Sequence, residues 1–320
     1  MDWSPATGAE NGVPETERSF RVFLMFGTRS ISLLIAVGLL LAGSSACVRR
    51  EPPAPTAVPR RIVSMAPSLT ETLVALGLED RVVGTTRYCP PVSGATGVGG
   101  YLDPNYEAIL ALKPDLVVAM QSHDELRRRL VDLGLDTLMV DQHDIAGVIA
   151  SVETIAARCG VAQRGSEVSA LLLAGMEAVA TRVAGLDRPR VLVVVGREPG
   201  GGRIGPLWAA APDTFFDDVV RLAGGTNVLI DSRIRYPEIS REGLLALDPD
   251  VIFDVVADGG ARRVIADEAA ADWNQLADLR AVAAGRVHVM VEDHVVIPGP
   301  RVVETVEDFA RRLHPEATWD

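Results

Sequence analysis

The sequence is short of lysine, cysteine and long apolar runs, and each shortage excludes something. Lys113 is the only lysine among 31 basic residues, and 43 acidic residues outweigh them to a formal charge of −12. A chain of that sign offers no basic stripe for a phosphate backbone, so nucleic acid is excluded as a partner. The arginine bias reads as GC-rich coding and carries no function. Of the three cysteines, Cys89 and Cys159 stand in a loop and near a helix end, at a separation with no disulfide-framework signal. The longest apolar run, "ISLLIAVGLLLAG" from Ile31 to Gly43, falls short of the roughly twenty residues a spanning helix requires. No HxH or HExxH spacing occurs, so the pattern of a metal site is missing.

What is present begins with that run. Preceded by Arg29 and followed by "SSAC", it has the length and small-residue exit of a secretory signal. Residues 1–24 carry Asp2, Glu10, Glu15 and Glu17, out of place in a positive leader; translation from Met25 would give the ordinary opening "MFGTRS". We read 1–24 as a non-native extension and 25–46 as the signal peptide. Cys47 after "LAGSSA" resembles the lipobox of bacterial lipoproteins, with Ser44 where leucine is usual. Acylation of Cys47 and plain cleavage after Ala46 both fit. The proline-rich segment 47–60 reads as an extended tether.

From Arg61 onward, short β-branched runs alternate with helical stretches, the pattern of an α/β fold with mainly parallel sheets. "SLTETLVALG" is expected to open with a capping box, Ser68 with Glu71. The alternation is interrupted by one long helical stretch without strands. This gives an N-terminal lobe over 61–165, a connecting helix over 166–187 and a C-terminal lobe over 188–320. "EAILALKPD" from Glu107 returns as "EGLLALDPD" from Glu242, so the lobes read as variants of one unit. Asn105 and Ser240 are good N-caps, and each glutamate then faces the positive end of a helix dipole. The leucines of each copy are expected to point into the lobe.

Three segments, "RIVSMAPSLTETLVALGLEDRVVGTTRYCPP", "VGGYLDPNYEAILALKPDLVVA" and "DSRIRYPEISREGLLAL", resemble the substrate-binding proteins of ABC importers for cobalamin, ferric siderophores and heme. The resemblance runs from Arg61 to the carboxyl end. It implies two α/β lobes on a rigid backbone helix, a ligand in the cleft between them, and little lobe movement on binding. It also implies that Glu107 and Glu242 dock onto arginines of a two-fold permease dimer with its ATPase subunits. The chain would then be no enzyme, with a transported ligand in place of a cofactor.

Ligands of open α/β sheets bind beyond the carboxyl ends of the strands. That rule selects Ser64, Ser68, Arg87, Tyr88, Gly100, Tyr101, Gln121, His123, Arg197, Tyr236, Asp293 and His294 as cleft residues. Tyr88, Tyr101 and Tyr236 suit a large, flat, semi-polar ligand. The resemblance favours cobalamin, although Gln121 and His294 stand where its cobalamin members more usually have tryptophan. Heme is the competitor, with Tyr101 where some heme-binding relatives have an axial ligand. His123, His143 and His294 follow predicted strands, but the segments "GGYLDPN" and "RYPEISRE" speak against a bare metal. Gly200, Gly202 and Gly205 make a formal GxGxxG; Pro206 and Pro212 follow it and no lysine–serine pair does, so it reads as cleft wall. A secreted α/β enzyme is the alternative of a different class. Against it stand the absence of a nucleophile elbow and of a histidine placed by sequence beside Ser64 or Ser68.

Overall fold

The computed structural model describes residues 57–256 and 266–319. The leader, Cys47 and most of the tether lie outside the described residues. The first lobe runs β1 (Ile62–Ser64), α1 (Pro67–Ala75), β2 (Val82–Thr85), β3 (Thr96–Gly97), α2 (Tyr106–Ala111), β4 (Leu116–Met120), α3 (Asp124–Asp132), β5 (Thr137–Val140) and α4 (Ile145–Arg158). Its sheet has the order β3-β2-β1-β4-β5 with every pairing parallel. The central strands are apolar on both faces, from Ile62 and Val63 to Leu116 and Val117, as a sheet covered on both sides requires.

A turn at Gly160, in the left-handed region at φ 75°, leads into α5 (Ala162–Arg182). The connecting helix thus starts ahead of residue 166, directly after α4. Two glycines let it approach both lobes. A side chain at Gly165 would collide with Ala156 of α4, and one at Gly175 would press on Val303 of the closing helix.

The second lobe runs β6 (Arg190–Gly196), β7 (Leu207–Ala209), α6 (Phe215–Leu222), β8 (Thr226–Asn227), β9 (Glu238–Ile239), α7 (Arg241–Leu247), β10 (Val251–Val255), α8 (Ala266–Ala271), α9 (Arg280–Ala283), β11 (Val287–Met290), α10 (Asp293–Val296) and α11 (Val302–Leu313). The sheet order is β11-β10-β6-β7-β9, with β7 antiparallel to both neighbours. The sequence hides β7 and β9, two or three residues each between prolines. One apolar core joins the lobes, from Ile62 and Leu73 through Leu172 and Met176 of α5 to Val191, Phe253 and Phe309. Among the described residues no helix is long and apolar enough to cross a membrane.

Two local expectations change. No capping box opens α1: Ala66 is the N-cap, and Ser68 lies inside the first turn. Its hydroxyl donates to Gln142 Oε1 at 2.6 Å, while Glu71 binds Arg301, so tertiary partners replace the local pair. In the repeat, Ile109 and Leu244 are buried and Leu112 and Leu247 pack against the cores as expected, but Leu110 and Leu245 face solvent. The caps themselves form, with Asn105 Oδ1 accepting from Ala108 N at 3.0 Å and Ser240 Oγ from Gly243 N at 3.1 Å. Cys89 and Cys159 are both free thiols.

The candidate ligand-binding cleft

A cavity of about 610 Å³ opens where the carboxyl-end loops of the two lobes meet. The first lobe contributes Pro67 and Glu71 from α1, and Tyr88, Cys89, Pro90 and Pro91 after β2. The second contributes Asp293, Val296, Ile297 and Arg301 after β11. Tyr88 is 52% exposed and presents a free ring, with the Arg87 guanidinium 5.9 Å from its centroid. Arg301 reaches across the floor to Glu71, its Nε donating to Oε2 at 3.2 Å. Gly299 sits against Ser68 beside that pair.

A larger cavity, about 820 Å³, lies at the amino ends of the second lobe's strands, near Arg188, Asp250, Arg280 and Arg286. Its arginines are bound to backbone carbonyls and aspartates. Ligands of open α/β sheets bind at the opposite end, so the smaller cavity is the candidate site.

The remaining sequence-selected residues fall into three groups. Tyr101 and His123 pack as tilted rings with centroids 4.9 Å apart, and the Tyr101 hydroxyl is 3.3 Å from Ser122 Oγ. Gln121 is exposed beside them. Arg87 pairs with Asp103 at 2.9 Å, and Gly100 N donates to Asp103 O, closing the 99–104 loop. Tyr236 is 44% exposed on the second lobe.

The third group is turned inward. Ser64 and Ser68 are buried and bonded within the first lobe. His294 Nε2 is 2.8 Å from Asp308 Oδ2 on α11, which takes up its ring. Arg197 is farthest from the expected position. Its guanidinium, 3% exposed, donates to Asp254 Oδ2 through Nε at 2.8 Å and to Asp272 Oδ2 through Nη1 at 2.7 Å. Asp272 also accepts from Gly200 N and Gly202 N. Burial works against its ionisation, but Arg197 and those two N–H groups hold its carboxyl below the ordinary aspartate range. The glycine-rich loop is therefore a nest already filled by an internal carboxylate, not a phosphate site.

Sequence reasoning missed a further polar link between the lobes. His143, after β5, lies with Nε2 3.4 Å from Asp144 and 3.5 Å from Asp213 of the second lobe. Asp213 is in turn bound by Arg235. Asp141, foremost by its hydrogen bond, raises the His143 pKa against a burial that lowers it. His143, Asp144 and Asp213 offer ligand atoms within 4.8 Å of one another. Nothing in the chain order could have paired Glu71 with Arg301, or His143 with Asp213; only the backbone path does.

Both repeat glutamates lie on exposed first turns. Because β3 runs parallel to β2, and β9 parallel to β6 through the antiparallel β7, α2 and α7 each begin at the carboxyl edge of their sheet. Its own backbone N–H, then the Ser240 hydroxyl, hold the Glu242 carboxyl below the usual glutamate range.

Two lobes of this topology, a shared core and a cleft between carboxyl-end loops define a binding protein scaffold. A family model for periplasmic binding proteins matches residues 62–293, and the chain belongs to that family. It is 30% identical over 269 residues to a cobalamin-binding protein of Halobacterium salinarum, covering 80% of this chain and 70% of that one. It is 28% identical over 269 residues to an uncharacterized ABC transporter substrate-binding lipoprotein of Bacillus subtilis, covering 81% of each. Among solved structures, a periplasmic heme-binding protein of Pseudomonas aeruginosa superposes with a TM-score of 0.69 at 26% identity, over 81% of this chain and 94% of that one. The periplasmic vitamin B12-binding protein of Vibrio cholerae shares the fold, with a TM-score of 0.66 at 24% identity, over 81% and 98%.

Proposed function

We propose that this chain is the substrate-binding component of an ABC importer and that its cleft captures a corrinoid. The observation that carries the choice of ligand is the charge of the cavity. Its ionised side chains are Glu71, Asp293 and Arg301, and Arg301 is already paired with Glu71. The lining thus leaves a carboxylate in excess. Heme propionates and anionic ferric chelates would meet that excess without a free cation, at the desolvation cost of an unpaired charge. A corrin rimmed by neutral amides meets no such penalty, and Tyr88, Pro90 and Pro91 offer it flat apolar contact. The cobalamin-binding relative supports the same choice.

Delivery would be to a permease dimer with its ATPase subunits, through the exposed Glu107 and Glu242. The lipoprotein relative supports an envelope location, with Cys47 as the lipid anchor. Heme remains the second reading on one observation: Tyr101 and His123, two groups able to ligate iron, lie side by side with ring centroids 4.9 Å apart. Calorimetric titration with cyanocobalamin, hemin and a ferric hydroxamate separates the readings. We expect one-to-one corrinoid binding, weakened in Tyr88→Ala. Hemin binding with a Soret band lost in Tyr101→Phe, and no heat with the corrinoid, would overturn it.

A further inference from the structure

The seam between the lobes holds one group of side chains that neither the core nor the cleft accounts for. His143 follows β5, Asp144 caps α4, and Asp213 stands just ahead of α6 in the second lobe. The backbone is drawn close at this point, with Ile145 N donating to Asp218 Oδ2 across the seam at 3.1 Å. None of the three side chains lines the Tyr88 cavity.

Each group is anchored through one atom and offers another. His143 Nδ1 is shut off from solvent and lies 2.9 Å from Asp141 Oδ2, while Asp141 Oδ1 accepts from His143 N at 3.1 Å. Asp144 Oδ1 accepts from Gly147 N at 2.6 Å. Asp213 Oδ2 accepts from Arg235 Nε at 2.7 Å. The atoms left over, Asp144 Oδ2 and Asp213 Oδ1, both face His143 Nε2, at 3.4 and 3.5 Å. Those distances are long for charge-assisted hydrogen bonds, which prefer about 2.7–2.9 Å. They match the edges of a tetrahedron around one ion, about 3.3–3.5 Å for bonds of about 2.0–2.1 Å. A carboxylate at the other ring nitrogen is the usual companion of a metal-bound histidine, because it fixes the tautomer that frees Nε2 to ligate. Charge points the same way. With His143 neutral, Asp141, Asp144 and Asp213 against Arg235 leave an excess that one divalent cation balances.

We propose that His143 Nε2, Asp144 Oδ2 and Asp213 Oδ1 bind a divalent cation of the zinc class, as a resident clip between the lobes and not as cargo. One imidazole with two carboxylates suits such an ion better than Ca²⁺, which takes about six to eight oxygens. Asp213, 60% exposed at its side chain, can close the remaining edge by a small rotation and leaves a fourth position open to water. Two ligands come from the first lobe and one from the second, so binding the ion stabilises their contact. The proposal holds whatever the cleft carries.

The test takes the full chain without an affinity tag, strips it with chelator, and titrates it with ZnCl₂ and separately with CaCl₂. Calorimetry should give one Zn²⁺ per chain and no comparable heat with Ca²⁺. At a hundredfold excess of Zn²⁺ over its Kd, the unfolding midpoint should rise by about 5–10 °C. Asp213→Asn changes an exposed side chain and should lose that rise while staying folded, as its ion-free midpoint records. His143→Gln should lose the site, and the His143 ring signals of the unmutated chain should shift with Zn²⁺ in NMR spectra. Asp141→Asn keeps all three ligands and should weaken Zn²⁺ by about tenfold or more. No stoichiometric Zn²⁺ site, a Zn²⁺ affinity unchanged in His143→Gln or in Asp213→Asn, or Ca²⁺ bound as tightly as Zn²⁺ would each overturn the proposal.

Discussion

Replacing Arg197 by methionine separates a structural arginine from a ligand-binding one. The guanidinium stands between Asp254 and Asp272, which are 0% and 1% exposed at their side chains. It also donates to Ala269 O at 2.8 Å. Trp273 Nε1 adds a 2.9 Å bond to Asp254 Oδ2, but a neutral donor cannot replace the charge. Methionine preserves much of the volume and leaves two buried carboxylates without a cation. Removing one partner of a buried ion pair costs about 3–5 kcal/mol. At about 2–4 °C per kcal/mol for a domain of this size, the midpoint should fall by roughly 6–20 °C. The uncompensated carboxyls gain a raised pKa in the folded variant, so the deficit exists above that value and shrinks as pH falls through it. Denaturant titrations of wild type and Arg197→Met at neutral and mildly acidic pH measure both effects. Ligand affinity of the fraction still folded should change little. A variant of wild-type stability that no longer binds ligand would refute this reasoning and return Arg197 to the cleft.

Arg301→Ala should lower stability by about 1–2 kcal/mol, a buried-pair cost discounted for the partial exposure of Arg301, and weaken ligand binding; equal denaturation midpoints would show that the inter-lobe pair contributes nothing. His143 has a raised folded pKa, first through Asp141, so its contribution is complete below the ordinary histidine value of about 6.5 and lost as pH rises through the folded one. Asp141→Asn should flatten that dependence, and an NMR titration placing His143 below 6.5 would contradict the sign. Burial, then Arg312 and Arg286, push His288 down to about 4. Its contribution is present above about 6.5 and lost as pH falls through 4, about 2 kcal/mol after discount for partial exposure. His288→Phe should remove that acid sensitivity, and an unchanged acid limb would rule His288 out as its source.

The parallel strands, the long helix and the repeated caps were legible because each is written in neighbouring residues. Asn105 and Ser240 cap as their positions in the repeat imply. Ser68 and Glu71 spell a capping box equally well, yet Gln142 and Arg301 outcompete that local pair from far along the chain. Short antiparallel β7 and β9 are set by sheet pairing, which no three-residue pattern specifies. The cleft was legible as a set of loops but not as a set of side chains. Arg197 and His294 sit in suitable loops and turn inward because buried or half-buried aspartates claim them. Tyr88 and Asp293, without such claimants, line the cavity.

The single core running from Ile62 through α5 to Phe309 limits how this protein can report its cargo. Lobes that share interior side chains are expected, in the proposed import role, to move little on binding, and the outer rim with Glu107 and Glu242 to keep its shape whether or not the cleft is filled. In the proposed import role, vacant and loaded carriers would then compete for the same dock on nearly equal terms. Transport at scarce cargo would slow as carrier is overproduced, each vacant molecule acting as a competitive inhibitor of the loaded ones.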